Sequence, residues 1–209
     1  VITDGILLTA NPSYELPTLP SGTTPFDNQL LAKWDGESST NFPSPTFNNN
    51  ALIDAVSQKP DGNLLISVGS DTVVGGTLAL GNGDIFEYNP TTGDVSLFLK
   101  GGLTANGTDA FGNTTSIFLS NNASPVPAAE NIDAFHLLSD GKILLSVEGT
   151  AGMDDGSGNR LAIDDADIVL YDPVANSASI LFDFAGIYTG DVNAITTHAS
   201  GLLALSVGS

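Results

Sequence analysis

Short apolar runs, each introduced by a tight turn, recur along the chain. The clearest follow Asp61-Gly62 and Asp140-Gly141, where Leu64–Val68 and residues 143–147 are almost wholly apolar up to a shared serine. Fainter copies follow Asp4-Gly5 and Ser200-Gly201. A glycine-containing turn leading into a short apolar run predicts a hairpin turn and a buried strand. No window of roughly a dozen residues keeps a 3.6-residue periodicity, so we predict no helix.

Two further phrases flank these turns and complete a repeating unit. The phrase before the turn is Ile53-Asp54-Ala55-Val56, then Ile132-Asp133-Ala134-Phe135, then Val192-Asn193-Ala194-Ile195. The phrase after it runs from Asp84 to Pro90 and again from Asp167 to Pro173, and each copy leads into one more apolar run, at 95–99 and 178–182. The Tyr-Asn-Pro and Tyr-Asp-Pro segments predict tight turns between the last two strands. One unit is therefore expected to be four short strands joined by turns.

The spacing of these units predicts an all-β protein built from four-stranded antiparallel blades of the β-propeller type. A repeated meander of this length is typical of propeller blades, because each small sheet has two apolar faces that its neighbours must cover. We divide the single domain 1–209 into units of roughly 1–50, 51–131, 132–190 and 191–209. The second carries an insertion at 103–131. In the degenerate first unit, residues 30–34 stand for the third strand, and Phe42 and Phe47 mark the fourth.

The count of strands comes to about three blades with incomplete blades at both ends. Closed propellers need about four to eight blades. Three interpretations follow: the chain is part of a longer propeller, copies exchange end strands to build a ring or filament, or the chain closes in an unusual way. Unpaired sheet edges favour pairing with another chain, which keeps the second interpretation open.

The pattern Asp-Gly-x-hydrophobic-Leu-x-Ser, followed by Asp-Ile-x-x-Tyr-[Asn/Asp]-Pro, resembles secreted bacterial propeller repeats of the NHL, YVTN and gluconolactonase-like style. The resemblance covers residues 53–99 and 132–182 well and the two ends in part. It implies a propeller architecture. In gluconolactonase-like propellers it also implies a central calcium ion held by acidic and Asn side chains, although no ligand of that family can be placed residue by residue here.

The charge of the chain is strongly one-sided. It has five Lys and Arg residues against 24 Asp and Glu, a formal net charge of −19, and no cysteine. Scattered cations exclude a nucleic-acid partner and disfavour an anionic membrane surface. No apolar run approaches the ~20 residues of a membrane helix, so we expect no membrane insertion. The Asn-, Thr-, Ser- and Gly-rich composition indicates an extracellular or cell-surface protein.

Oxygen-bearing side chains at repeated positions are the candidate metal ligands. Asp54, Asp133 and Asn193 fall at the same place in three units and would suit calcium, which takes about six to eight oxygen ligands. The alternative is that each fixes its own blade by bonding to backbone amides. A second candidate is the loop with Asp155, Ser157 and Asn159, which departs from the EF-hand pattern because Arg160 stands where glycine is required. Calcium is the only cofactor that we predict.

Other chemistry in the sequence points to exposed loops and structural roles. Asn106, Asn113 and Asn122 head three glycosylation acceptor triplets inside the 103–131 insertion, which marks it as exposed. His136 occupies a position that Ser57 and Thr196 hold in other units, so we interpret it as an ordinary strand residue. The sequence contains no Gly-x-Ser-x-Gly nucleophile motif and no phosphate-binding glycine motif.

The sequence favours a non-catalytic structural or binding module, with calcium as a stabilising ion and a carbohydrate or small molecule as an unidentified ligand. The first alternative is a subunit that self-associates through its end strands. The second is a calcium-dependent hydrolase of the lactonase type. No catalytic residue is assigned.

Overall fold

The computed structural model describes residues 6–8, 31–34, 39–102, 107–119, 130–184, 187, 190–197 and 203–207. Within these ranges all regular elements are strands. The same ranges contain no helix long and apolar enough to cross a membrane. In chain order they are β1 (Ile6–Leu8), β2 (Leu31–Trp34), β3 (Ser39–Phe42), β4 (Ile53–Gln58), β5 (Leu64–Val68), β6 (Thr72–Val74), β7 (Leu78–Leu80), β8 (Ile85–Tyr88), β9 (Val95–Leu99), β10 (Asn131–Leu137), β11 (Ile143–Glu148), β12 (Ala151–Asp154), β13 (Arg160–Ile163), β14 (Asp167–Asp172), β15 (Ser177–Asp183), β16 (Val192–Thr197) and β17 (Leu203–Val207).

Two of the sheets are complete four-stranded antiparallel blades. The first has the strand order β4-β5-β8-β9 and the second has the order β10-β11-β14-β15. A three-stranded sheet, β1-β2-β3, precedes them, and a two-stranded sheet, β16-β17, follows. The predicted all-β, blade-type fold is confirmed. Third and fourth strands fall where the degenerate first unit predicts them, at β2 and β3.

The blades stack through alternating side chains, as two-faced sheets require. On β5, Leu64, Ile66 and Val68 pack into a cluster shared with Leu31 of the first sheet. Leu65, between them, points to the opposite cluster, where the first complete blade meets the second. Because β5 is buried along its whole length, its sequence does not alternate between apolar and polar residues.

The second blade repeats this arrangement. Its residues Ile143, Leu145 and Val147 face the first blade, whereas Leu144 faces Val192 of the last sheet. The inner strand β10 contacts both β4 and β16, so the first strands of successive units are neighbours. The seams between blades therefore run along these inner strands.

Each complete blade carries an extra hairpin that the repeat analysis does not predict. The hairpins β6-β7 and β12-β13 lie between the second and third strands of their blades and form separate two-stranded sheets. The assignment of Phe47 to a fourth strand is wrong. Phe47 instead forms an isolated antiparallel bridge with Val74 of β6 and packs edge-on against Phe86, because the hairpin offers it an apolar surface.

The repeated Asp-Gly turns have the same geometry in both blades. Gly62 and Gly141 adopt φ of 89° and 86°, a left-handed conformation that glycine enters without steric cost. The Asp61 and Asp140 carboxylates accept the amides two residues later, at 3.0 and 3.2 Å. The predicted turn between first and second strands is confirmed.

Candidate functional site

The first strand of each unit is irregular at the same position. Register shifts occur between Ile53 and Val56, between Ile132 and Ala134, and between Val192 and Ala194. Such a bulge leaves a residue outside the ladder and re-aims its side chain. The residues involved include Asp54, Asp133 and Asn193, the three predicted calcium ligands. The three residues therefore share the same backbone irregularity as well as the same place in the repeated sequence.

The serine that ends each repeated apolar run lies beside these bulges. The Ser67 hydroxyl accepts the Ala55 amide at 3.1 Å in the buried interior of the first blade. The equivalent Ser146 hydroxyl donates to the Asp167 carbonyl at 3.0 Å. Serine provides both a donor and an acceptor, which suits a site where a bulge has removed a backbone partner. These serines therefore support the blade rather than chemistry at its surface.

The seam between the two complete blades joins an amide to carboxylates. Asn131 Nδ2, at the start of β10, donates to Asp54 Oδ2 at 3.0 Å and to Glu148 Oε2 at 3.2 Å. A Cβ at Gly69 would lie 2.8 Å from Asp54 Oδ1, so the carboxyl group covers that glycine. Burial raises the pKa of Asp54 to about 6, the Asn131 hydrogen bond opposes this rise, and the charge of Glu148 adds to it.

The seam between the second blade and β16-β17 joins two carboxyl groups. Asp191 directly precedes Val192, as Asn131 precedes Ile132, and its side chain lies within hydrogen-bonding reach of Asp133. Burial raises the pKa of Asp133 to about 8, and the Asp191 carboxyl group and then the charge of Asp54 add to the rise. Asn193 Nδ2 donates to Asp191 Oδ2 at 2.9 Å.

Several buried oxygens at the start of β10 and just before β16 make no hydrogen bond within the described part of the chain. They are both carboxyl oxygens of Asp133, Oδ1 of Asp191 and Oδ1 of Asn131. Asp133 is only 9% exposed and Asn131 only 8%. Leaving a buried polar atom unpaired costs about 1–3 kcal/mol, more for a charged one. This concentration of orphaned oxygens makes the inner-strand seam the candidate functional site.

The structure distributes the three repeated ligand candidates unequally. Asp133 is buried, Asp54 is half-buried and Asn193 is exposed. Among the described residues, no three His, Cys, Asp or Glu side chains come together closely enough to hold one metal ion. A cation here would need amide, backbone or water oxygens in addition. Calcium binding by Asp54, Asp133 and Asn193 stays a prediction.

The second calcium candidate forms a closed turn at the tip of the β12-β13 hairpin. Asp155 Oδ1 accepts the Ser157 and Asn159 amides at 2.8 and 3.1 Å, and Oδ2 accepts Asn159 Nδ2 at 3.1 Å. These hydrogen bonds lower the pKa of Asp155, which is exposed. The carboxylate thus already accepts three hydrogen bonds from its own turn. Calcium binding in this loop also stays a prediction.

The same turn occurs a second time in the insertion after β9. Asp109 Oδ1 accepts the Phe111 and Asn113 amides, each at 2.9 Å, and Oδ2 accepts Asn113 Nδ2 at 3.2 Å. Of the three glycosylation candidates, only Asn113 lies within the described residues, and a glycan would replace a hydrogen of this bonded amide. Asn106 and Asn122 lie outside them.

Residues with catalytic potential are held in internal contacts. The fully buried Asp84 accepts the amides of Gly81, Gly101 and Gly102 at 2.8, 3.0 and 2.7 Å, respectively. His136 Nε2 lies 2.8 Å from the Thr197 hydroxyl across the second seam, and burial lowers its pKa. Both side chains connect elements of the fold, as expected for structural residues.

Sequence reasoning missed Asn131, Glu148 and Asp191. The signal was present, since the position before the repeated Ile or Val is Leu52 in one unit but Asn131 and Asp191 in the next two. A polar residue that replaces an apolar one directly before a buried strand marks a place where another polar group is close. The partner of each lies in the preceding blade, so the sequence alone does not reveal the pair.

Two solved structures align with the chain at low sequence identity. One is described as the extracellular domain of a one-component system of B. thetaiotaomicron, with 12% identity and a TM-score of 0.29 over 86% of this chain and 35% of that one. The other is YCF48 bound to D1 peptide, with 9% identity and a TM-score of 0.29 over 86% and 84% of the two chains. The chain thus spans about a third of the length of the first neighbour. No protein-family model and no curated protein matches the sequence.

Proposed function

We propose that the chain is a non-catalytic structural or binding module of the propeller type, outside the cell or on its surface, that calcium stabilises. The observation that supports this proposal is that the same residues recur at the same place in successive blades. Ser67 and Ser146 recur in successive blades and each closes a backbone contact inside its own blade. Catalysis needs a unique constellation of residues, whereas a residue that recurs in every unit maintains the unit.

The charge of the chain supports the calcium and location parts of this proposal. A net charge of −19 attracts cations and repels other anions. The buried side-chain oxygens without hydrogen-bond partners near the inner strands are ligands of the kind that hard cations such as calcium prefer. Extracellular calcium-binding modules work at roughly 10⁻⁴–10⁻³ M, a range that a site with few charged ligands can serve.

An assay for hydrolysis tests the non-catalytic part against its closest alternative. Purified protein is incubated with a panel of aliphatic lactones, with calcium and separately with a chelator. Turnover is expected to equal that of a heat-denatured sample in both conditions. Lactone turnover that disappears on chelation and returns with calcium would contradict the proposal and favour the lactonase-type hydrolase.

A second candidate function, self-assembly, is favoured by the last sheet. Within the described residues β17 pairs only with β16, and Val207 on it is 50% exposed. Leu181 and Phe182, on the outer strand of the preceding blade, are each 44% exposed. Two further strands from another copy could pair with β17 and cover these apolar side chains. A mass of 21.4 kDa at every concentration would contradict this candidate.

A further inference from the structure

The two seams place different chemistry at equivalent positions. In the first, Asn131 donates to the Asp54 carboxylate, so an amide satisfies an acid. In the second, Asp191 stands where Asn131 stands, and the residue that it faces is Asp133. The chain therefore contains one seam in which an amide donates to a carboxylate and one seam in which two carboxyl groups face each other.

A carboxylate can only accept hydrogen bonds, so two facing carboxylates cannot satisfy each other. Both oxygens of Asp133 and Oδ1 of Asp191 are buried without a hydrogen-bond partner in the described part of the chain. Asp133 is more than nine-tenths buried, which keeps bulk water from compensating it. The seam thus needs either a proton shared by the two acids or a cation bound between them.

The oxygen atoms at this seam and their hydrogen-bond partners indicate which cation would fit between the two acids. Asn193 occupies Oδ2 of Asp191 and leaves Oδ1 for another partner. These groups are all hard oxygen ligands, which favour calcium or magnesium over zinc or copper.

We propose that the carboxylates of Asp133 and Asp191 bind a calcium-type divalent cation in the seam between the second blade and the β16-β17 sheet. This assignment rests on the proposed calcium-stabilised module and gives that module a specific site. Backbone oxygens and water complete the coordination, because two carboxylates alone fall short of the six to eight ligands of calcium. The ion links β10 to β16 and so fixes the last sheet to the blade before it.

The chain itself supplies the variant that tests the site. The substitution Asp191→Asn copies the Asn131–Asp54 pair of the first seam, so it introduces an arrangement that this fold already accommodates. Asp140→Asn removes the same charge at an exposed turn beyond the opposite end of β10 from Asp133, and it serves as the matched control. The melting temperature of wild type and both variants is measured in chelator and at increasing calcium, with magnesium as a parallel series.

Wild type and D140N are expected to melt about 3–6 °C higher at calcium concentrations of roughly ten times Kd, because the ion binds only the folded form. D191N is expected to melt above wild type in chelator and to lose most of the calcium-dependent rise. Isothermal titration is expected to detect one calcium ion in wild type and none in D191N.

The outcomes separate this site from the wider proposal. A D191N protein that keeps the full calcium response would overturn the site and leave a calcium-stabilised module with its ion elsewhere. Absence of any calcium response in wild type would overturn the site and the calcium part together, while the non-catalytic module would stand. Lactone turnover would overturn the non-catalytic module alone.

Discussion

At the scale of single residues, small polar side chains repair what the inner-strand bulges disturb. Each bulge removes a backbone pair from the ladder, and the Ser67 hydroxyl replaces the missing acceptor for the Ala55 amide. The sequence shows that the serine recurs, which identifies it as structural. It does not show which amide the serine accepts. A bulge depends on how two strands pair, and the sequence of one strand does not reveal that pairing.

Replacing Ser67 by alanine is therefore expected to destabilise the fold. The Ala55 amide would be left buried without an acceptor, which costs about 1–3 kcal/mol in the free energy of unfolding. Urea denaturation followed by circular dichroism measures the change. S96A, on an exposed face of β9, is the control and should change the free energy by less than about 0.5 kcal/mol. Equal effects of the two variants would contradict this role of Ser67.

At the scale of elements, the repeated phrases predict the blade strands because each strand of the unit has its own recurring sequence. The hairpins β6-β7 and β12-β13 escape this reasoning. Their last strands share one short phrase, Leu78-Ala79-Leu80 and Leu161-Ala162-Ile163, but the rest of the two hairpins differs in sequence and length, so the repeat is easily overlooked. They also share a position in the unit and a packing role, since Val74, Leu80, Met153 and Ile163 are all buried.

Asp84 connects the turn before β8 to the segment after β9, and its loss should be more damaging than that of a surface acid. Its carboxylate, which is fully buried, accepts one amide in the turn before β8 and two in the segment after β9. Burial raises the pKa of Asp84 in spite of these bonds, so D84A also removes an unfavourable charge. The three freed amides outweigh that relief.

We expect D84A to lower the free energy of unfolding by about 2–4 kcal/mol. Differential scanning calorimetry measures the change as a lower melting temperature. D94A alters an exposed acid in a neighbouring turn and is expected to shift the melting temperature only slightly. A D84A variant as stable as D94A would show that the three amides find other acceptors.

At the scale of the whole molecule, stability comes from seams between sheets rather than from one central core. In the described part of the chain the buried apolar residues divide into three clusters, and each cluster lies where one sheet faces the next. The sequence predicts this stacking, because residues such as Leu64 and Leu65 alternate between two apolar faces. It predicts the polar part of the seams less well, because Asp133 and Asp191 are 58 positions apart and belong to different units.

The exposed edge of the last sheet gives the prediction at this scale. If β17 recruits strands from a second copy, the mass of the wild-type protein should increase with concentration in light scattering. Ala204, the exposed second residue of β17, is a suitable position for a charge that blocks edge pairing without touching the core.

A204K is expected to remain at the 21.4 kDa monomer mass over the whole concentration range. S96K, which places the same charge on a strand that is already within a complete sheet, should behave as wild type. Self-association of A204K at wild-type concentrations would exclude the β17 edge as the contact.

The hairpins between second and third strands have a consequence for how such a chain can diversify. Their bases are anchored by buried side chains, but they contribute no rung to the ladders of β4-β5-β8-β9 or β10-β11-β14-β15. At their tips, Gly76 and Gly158 have open space around them, so the chain can lengthen there while the seams stay intact. Foreign epitopes or recognition loops grafted at these tips should be displayed on an unaltered scaffold.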